Sequence, residues 1–315
     1  MINTPYKDLE KSNNQIRPGL QFLIFIGIFI IILVIGNLIG AAIAAALYGL
    51  NTVMDIAQLN FKAPGIVNAL WILQIAGTTL PILAAPVFFA YVIVRDPGDY
   101  IKPSFRFPWG LLLLILLIMM LSNPIIEILS NINQKMKLPH FLNPVQKWMV
   151  DSESSAEKIT GVMLQMKNIW DLIFNVLLIG LLTAVVEEFM FRGVLQTIFV
   201  RWTKNVHAAI WITAILFSAF HMEFFGFLPR LMLGVLFGYF VAWSGSIWTS
   251  VWAHFINNGT AVVVTYLFQY KLIKMNPDDQ HVFNYTAYIF SAAILLSLMF
   301  MYKKIASEKK QIPEE

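Results

Sequence analysis

Two adjacent carboxylates and a guanidinium interrupt one of the most apolar stretches of the 315-residue chain, Ala184-Val185-Val186-Glu187-Glu188-Phe189-Met190-Phe191-Arg192-Gly193. In a helix, Glu188 and Arg192 share one face and can pair, whereas Glu187 is turned about 100° away. One carboxylate is thereby tied and the other is free. Two further polar pairs with the same spacing follow in apolar sequence, Phe217 with His221, and His254 with Asn258 beside Asn257. Each such group is costly at membrane depth, and ionisable side chains there mark a polar interior rather than a lipid-facing surface. A lone histidine or asparagine reads as a hydrogen bond between helices. Glu187, Glu188, Arg192, His221, His254 and Asn258 on three separate helices favour a single shared cavity. In such a cavity Glu187 is the natural base that takes a proton from water. One histidine can position that water or shuttle the proton, while the other and an asparagine amide can donate to an oxyanion. This set suits hydrolysis of an amide bond without a covalent intermediate. Glu127, near Asn123 and Pro124, has no histidine or arginine beside it and reads as an interfacial carboxylate at a proline-bent helix end. His140, His207 and His281 fall at expected helix ends or in loops and read as surface residues.

The elements that must position these groups follow from composition. Hydrophobic residues make up 58% of the chain and charged residues 13%, far below the roughly 25% charge of soluble domains. The fold class is all-α: a polytopic bundle of transmembrane helices in an integral membrane protein. About eight spans are expected, near residues 19–47, 65–94, 109–129, 170–200, 206–225, 231–243, 247–267 and 285–302. Residues 1–18 and 303–315 read as tails around one membrane domain, whose motif-bearing core is about 170–267. Gly36 and Gly40 in the first span have the spacing that allows close helix packing, and Pro81 and Pro86 predict a kink in the second. Between Asn131 and Asn168 the pattern predicts a loop holding a short surface helix that starts near Ser154. Both termini are placed in the cytosol by Arg95, Lys102, Arg106, Arg201, Lys204 and the C-terminal lysines; the five lysines between Asn131 and Asn168 oppose this, but long loops weigh less. At about 1.5 Å per residue, Glu187 falls near mid-bilayer, His221 outward of it and His254 inward.

Several classes are excluded. The chain has no cysteine, and so no disulfide, thiolate metal site or cysteine nucleophile. It has no His-Glu-x-x-His of a zinc protease and no Gly-x-Ser-Gly. Basic residues form no dense run, so nucleic acid is not an expected partner. Two histidines and a glutamate could bind zinc as readily as water; the positive charge of Arg192 argues against a cation, and neither metal nor cofactor is expected.

Glu187-Glu188 with Arg192, Phe217 with His221, and His254 with Asn258, in that order within successive hydrophobic helices, resemble the three motifs of the CAAX protease and bacteriocin-processing family, also called Abi. The resemblance covers about Trp170 to Leu267. It implies an intramembrane endopeptidase in which Glu187 activates water with His221 beside it. Glu188 and Arg192 would hold the helix geometry, His254 and Asn258 would form the oxyanion site, and Phe217 would pack against the site. The partners implied are the lipid bilayer and a membrane-associated polypeptide, in one branch a lipidated one. The location implied is a bacterial plasma membrane, with the site toward the cytosolic side. Two other readings stay open: a non-catalytic immunity or scaffold protein, and a proton-coupled transporter in which the glutamates and histidines form a relay.

Overall fold

A computed structural model describes residues 16–274, 276 and 284–308. Most of the N-terminal tail, His281 and the lysines at 309 and 310 lie outside the described residues. Every regular element among those described is helical. In chain order they are α1 (Pro18–Tyr48), α2 (Leu50–Ala57), α3 (Ile66–Ile93), α4 (Pro97–Tyr100), α5 (Gly110–Leu121), α6 (Asn123–Lys135), α7 (Asn143–Met163), α8 (Ile169–Thr203), α9 (Val206–Phe220), α10 (Phe227–Ser244), α11 (Ile247–Gln269) and α12 (Tyr285–Glu308).

All eight expected spans are helical, but they differ in their fitness to cross a bilayer. Among the described residues, α1, α3, α8, α12 and α10 with the short turn before it are long and apolar enough. The expected third span is α5 and α6, bent by 43°, and together they make a sixth. Pro124 opens α6 at the bend. The fifth, α9, has only 15 residues, short of the ~20 a bilayer needs. At 23 residues α11 has the length, yet it is not among the sufficiently apolar helices, because it carries His254, Asn257 and Asn258. The site lowers the hydropathy of the helix that bears it.

Three boundaries differ from the sequence reading. Helix α7 is no short element near Ser154 but runs for 21 residues from Asn143, with Pro144 in its first turn, where a missing N–H is tolerated. Helix α9 starts where the Asn205 side chain accepts from the backbone N–H of His207 and Ala208 and stops at Phe220, five residues early. Helix α10 begins at Phe227, four residues before the expected start, which brings Arg230 into its first turn.

Small residues let the helices approach. A side-chain carbon at Gly36 would lie 2.5 Å from the Ala76 carbonyl oxygen, and one at Gly40 3.3 Å from Ala76, so both glycines seat α1 against α3. There Ile75–Thr79 forms a wide π turn just before Pro81, and Asn37 Nδ2 donates to Gly77 O at 2.8 Å. A side-chain carbon at Gly180 of α8 would lie 3.3 Å from the Gly259 Cα of α11. Phe25, Phe89, Val186, Phe191, Ile210 and Phe217 belong to one buried apolar cluster.

A buried polar knot closes the far end of α8. Arg201 donates to the Asp99 carboxylate, and Lys102 Nζ donates to the Asp99 carbonyl and, at 2.7 Å, to Thr197 Oγ1. Tyr100 donates to Gln21 of α1. Burial pushes the Lys102 ammonium down to about 8, against the pull of Asp99, and the Tyr100 phenol up to about 12. Gly193 lets this loop approach, since a side-chain carbon there would sit 2.7 Å from Tyr100 O. The α1–α3 seam makes the first prediction. Replacing Gly36 with Val forces the π turn away and costs about 1–3 kcal/mol, the usual range for overpacking. Thermal unfolding in detergent should show a lowered midpoint, and an unchanged midpoint would mean the seam is not close-packed.

Candidate active site

Helix α8 is not uniform where it carries the glutamates. The six α-helical residues Thr183–Glu188 lie between two π turns, Val176–Leu182 and Phe189–Leu195. Thr183 supports the first by donating through Oγ1 to Leu178 O, five residues back, at 3.0 Å. Such wide turns insert a residue and re-aim the side chains around them. Here they leave Glu188 toward α10 and α11 and Glu187 toward an open space.

Glu188 and Arg192 are both fully buried, with Nη1 donating to Oε1 at 2.8 Å. The guanidinium also donates through Nη2 to Gly234 O of α10 at 3.2 Å. Its central carbon stands 4.2 Å from the Phe217 ring centre and 5.2 Å from that of Phe237, a cation–π arrangement that strengthens in the absence of water. Phe217 therefore does more than pack: it covers one face of the buried cation and meets the His221 ring edge-on at 4.9 Å. On the other side of Glu188, His254 Nδ1 lies 2.9 Å from the same Oε1, and its ring stacks on Phe237 at 5.1 Å.

Glu187 is 8% exposed. Its Oε2 lies 3.7 Å from His221 Nε2 and 3.8 Å from His254 Nε2, beyond direct hydrogen bonding. The tautomers follow from the partners on the other ring nitrogens. His221 Nδ1 is 2.8 Å from the Phe217 carbonyl, which only accepts, so Nδ1 carries the hydrogen. His254 Nδ1 likewise donates to the Glu188 carboxylate. In neutral rings both Nε2 atoms are then acceptors. Three acceptors converge, and whatever sits between them must bring its own hydrogens.

The offset in depth expected between the histidines is absent. Both come within 4 Å of Glu187, because α9 stops short with His221 at its end and α11 crosses close to α8 at Gly259. Glu187 and His221 line a cavity of about 490 Å³ between α3, α7, α8 and α11. Asn257, Asn258 and Arg230 line it too. Asn258 Nδ2 donates to Ile179 O at 3.4 Å and its Oδ1 accepts from Asn257 at 3.1 Å. His254 is thus engaged by Glu188, and Asn258 by Ile179 and Asn257. Glu127 is not on the cavity wall. His140 and His207 are exposed, with His207 beside the Tyr239 hydroxyl at 2.7 Å. Among the described residues no group of three or more His, Asp or Glu side chains could hold a metal ion.

Two residues of the site escaped the sequence reading. Arg230, ion-paired with Glu223, was hidden by starting its span at Leu231. Phe237 carries no signal of its own in an apolar helix. The buried trio makes the second prediction: Arg192→Gln leaves Glu188 uncompensated and costs about 3–5 kcal/mol. The measurement is thermal stability in detergent, and a native midpoint would show that the pair does not hold the helices.

Comparison with known proteins finds matches over part of the chain. A protein of Bacillus subtilis (strain 168) named "Uncharacterized protein YpbD" is 27% identical over 112 residues, 34% of this chain and 53% of that protein. The chain thus spans about half the length of the curated relative it matches. No solved structure matches. Residues 169–260 match a family model described as "Type II CAAX prenyl endopeptidase Rce1-like". Glu187, Glu188, Arg192, His221, His254 and Asn258 all fall inside that stretch, and over residues 169–260 this membrane chain is similar to the Rce1-like family.

Proposed function

We propose that the protein is an intramembrane endopeptidase that hydrolyses a peptide bond of a membrane-associated or lipidated polypeptide, with Glu187 as the base. One observation carries the reading: Glu187 Oε2 has no hydrogen-bond partner among the described residues and stands between two imidazole acceptors at a cavity edge. A water there is held by its own hydrogens with its lone pairs outward, and giving one proton to Glu187 makes the oxygen a nucleophile. As the C–O bond forms, the carbonyl electrons move onto oxygen, where a second N–H of Asn258 can donate. His254 joins as a donor at Nε2 only when its ring enters the reaction already protonated from solvent. Return of the proton held by Glu187, directly or relayed through His221 Nε2, to the amide nitrogen lets the C–N bond break.

In this reading Glu188 and Arg192 touch no substrate and act as positioning residues, Arg192 through Glu188 and Glu188 through His254. The match to a Bacillus subtilis protein supports a bacterial plasma membrane as the setting. The third prediction concerns Glu187→Gln, which keeps shape and removes the base. Peptide termini generated in membranes of cells producing the native chain, read by mass spectrometry, should fall by about 10²–10⁴-fold while thermal stability stays native. The same termini at the native rate would remove the base assignment.

A further inference from the structure

We infer that Asn133 and Glu153, on two helices that precede residues 169–260, are positioning residues: they hold the connection between α9 and α10 and, through it, keep His221 against Glu187. The role in the reaction rests on the peptidase reading; the hold on His221 does not.

His221 is the first residue of a tight connection. Helix α9 ends at Phe220, Met222 takes a left-handed φ of 55°, and α10 begins at Phe227. Left-handed backbone at a residue other than glycine persists where its surroundings over-determine it. Apolar packing does not supply that here. None of residues 221–228 is buried, and a cavity of about 190 Å³ lies against Phe224, Phe225 and Leu228 on the side of Asn133 and Met149. Hydrogen bonds are left to fix the path.

The Asn133 amide of α6 acts as a bracket on it. Nδ2 donates to Phe224 O at 2.9 Å, and Oδ1 accepts from Leu228 N at 2.6 Å. Leu228 stands in the first turn of α10, where backbone donors lack partners within their own helix, and Asn133, only 5% exposed, supplies one from another helix. The Glu153 carboxylate of α7 accepts from Phe225 N at 3.0 Å through Oε2, and Trp148 of the same helix meets the Phe224 ring at 5.4 Å. Ser218 donates to Phe227 O at 2.7 Å and Arg230 to Glu223 O at 3.0 Å. These last two tie the connection to its own helices, whereas Asn133 and Glu153 anchor it to α6 and α7.

The anchoring bears on the site because the His221 ring is fixed only relative to α9, by its bond to Phe217 O. Where that ring stands relative to Glu187, 3.7 Å away, depends on the backbone that carries it, and a misplacement of about 1 Å costs on the order of 10²-fold in rate. Helix α7 also walls the cavity with Ile159 and Met163. One helix thus borders the substrate space and pins the segment that bears a reacting imidazole.

Glu153→Ala removes the acceptor of the Phe225 N–H, Glu153→Gln retains one, and Asn133→Ala removes the whole bracket. The first readout needs no cleavage. The native chain has no cysteine, so in His221→Cys a single thiol reports on the connection. Its rate of reaction with a small maleimide in detergent should rise several-fold when Glu153→Ala or Asn133→Ala is added and stay unchanged with Glu153→Gln. The second readout keeps His221 and follows peptide termini generated in membranes. Glu153→Ala should lower them about 10–10²-fold with little change in thermal midpoint, since its partly exposed site leaves the Phe225 N–H open to water, and Glu153→Gln should restore them. A thiol reaction that is unchanged or slower with Glu153→Ala overturns the hold on His221. A faster thiol with native cleavage, or an equal loss with Glu153→Gln, overturns the positioning role. If the native chain generates no termini while the thiol still responds, the peptidase reading fails and the hold on His221 stands.

Discussion

The structure depends on a contact that a membrane interior disfavours: the Glu188 carboxylate and the Arg192 guanidinium, 2.8 Å apart and fully out of solvent. Removing both charges from water costs several kcal/mol each, and their attraction offsets this only with good geometry and further hydrogen bonds. Here the extra partners come from different helices. Gly234 of α10 accepts from Arg192, Phe217 of α9 and Phe237 of α10 cover the guanidinium, and His254 of α11 meets the carboxylate. The pair is thus a reason for four helices to meet in one register. It also fixes which nitrogen of His254 faces Glu187.

Adjacent identical residues have opposite fates because of rotation alone. Glu188 turns inward, where its Oε1 meets both Arg192 and His254; Glu187, one residue earlier, turns to the cavity and meets two imidazoles at distances too long to bond. Arg192 cannot serve both, since it is held against Glu188 on the closed side. Without that partition a cation would neutralise the carboxylate meant to react with water. The π turns on either side of Thr183–Glu188 set where on α8 the two faces fall, and a regular helix would aim them elsewhere.

What could be read from the sequence was local. The pairing of Glu188 with Arg192 and of Phe217 with His221 follows from helical spacing, which needs no tertiary structure. The all-helical fold follows from apolar runs and scarce charge. Boundaries were less legible, because they are set by caps and left-handed residues: α9 ends at Phe220, where Met222 has φ of 55°, and apolar Phe224 and Phe225 beyond gave no sign of a stop. That early end is what lets His221 turn to Glu187, so an error of five residues became an apparent error in depth. Crossing number was illegible for a related reason. Hydropathy measures fitness for lipid, and α11 is surrounded by protein and by the cavity it lines, so it needs less of that fitness. Wide turns leave no trace in hydropathy, and Arg230 looked like a loop residue because its charge argued against a span.

The cavity lies beside the first half of α8, while Glu188, Arg192, Gln196 and Thr197 in its second half are fully buried, and the two halves have complementary effects on the chemistry. Electrostatic interactions weaken as the surroundings approach water, so a cavity wet on both sides would loosen the Glu188–Arg192–His254 contacts that hold the imidazole in place. A bundle dry on both sides would give Glu187 no water to act on and no route for a peptide. Sealing one end with the Asp99, Lys102 and Arg201 knot while leaving Asn257, Asn258 and Arg230 at a cavity edge allows rigid ion pairing and hydration about one helical turn apart. Confinement of the cavity to one half of the bundle is therefore part of how a carboxylate can stay reactive inside a membrane.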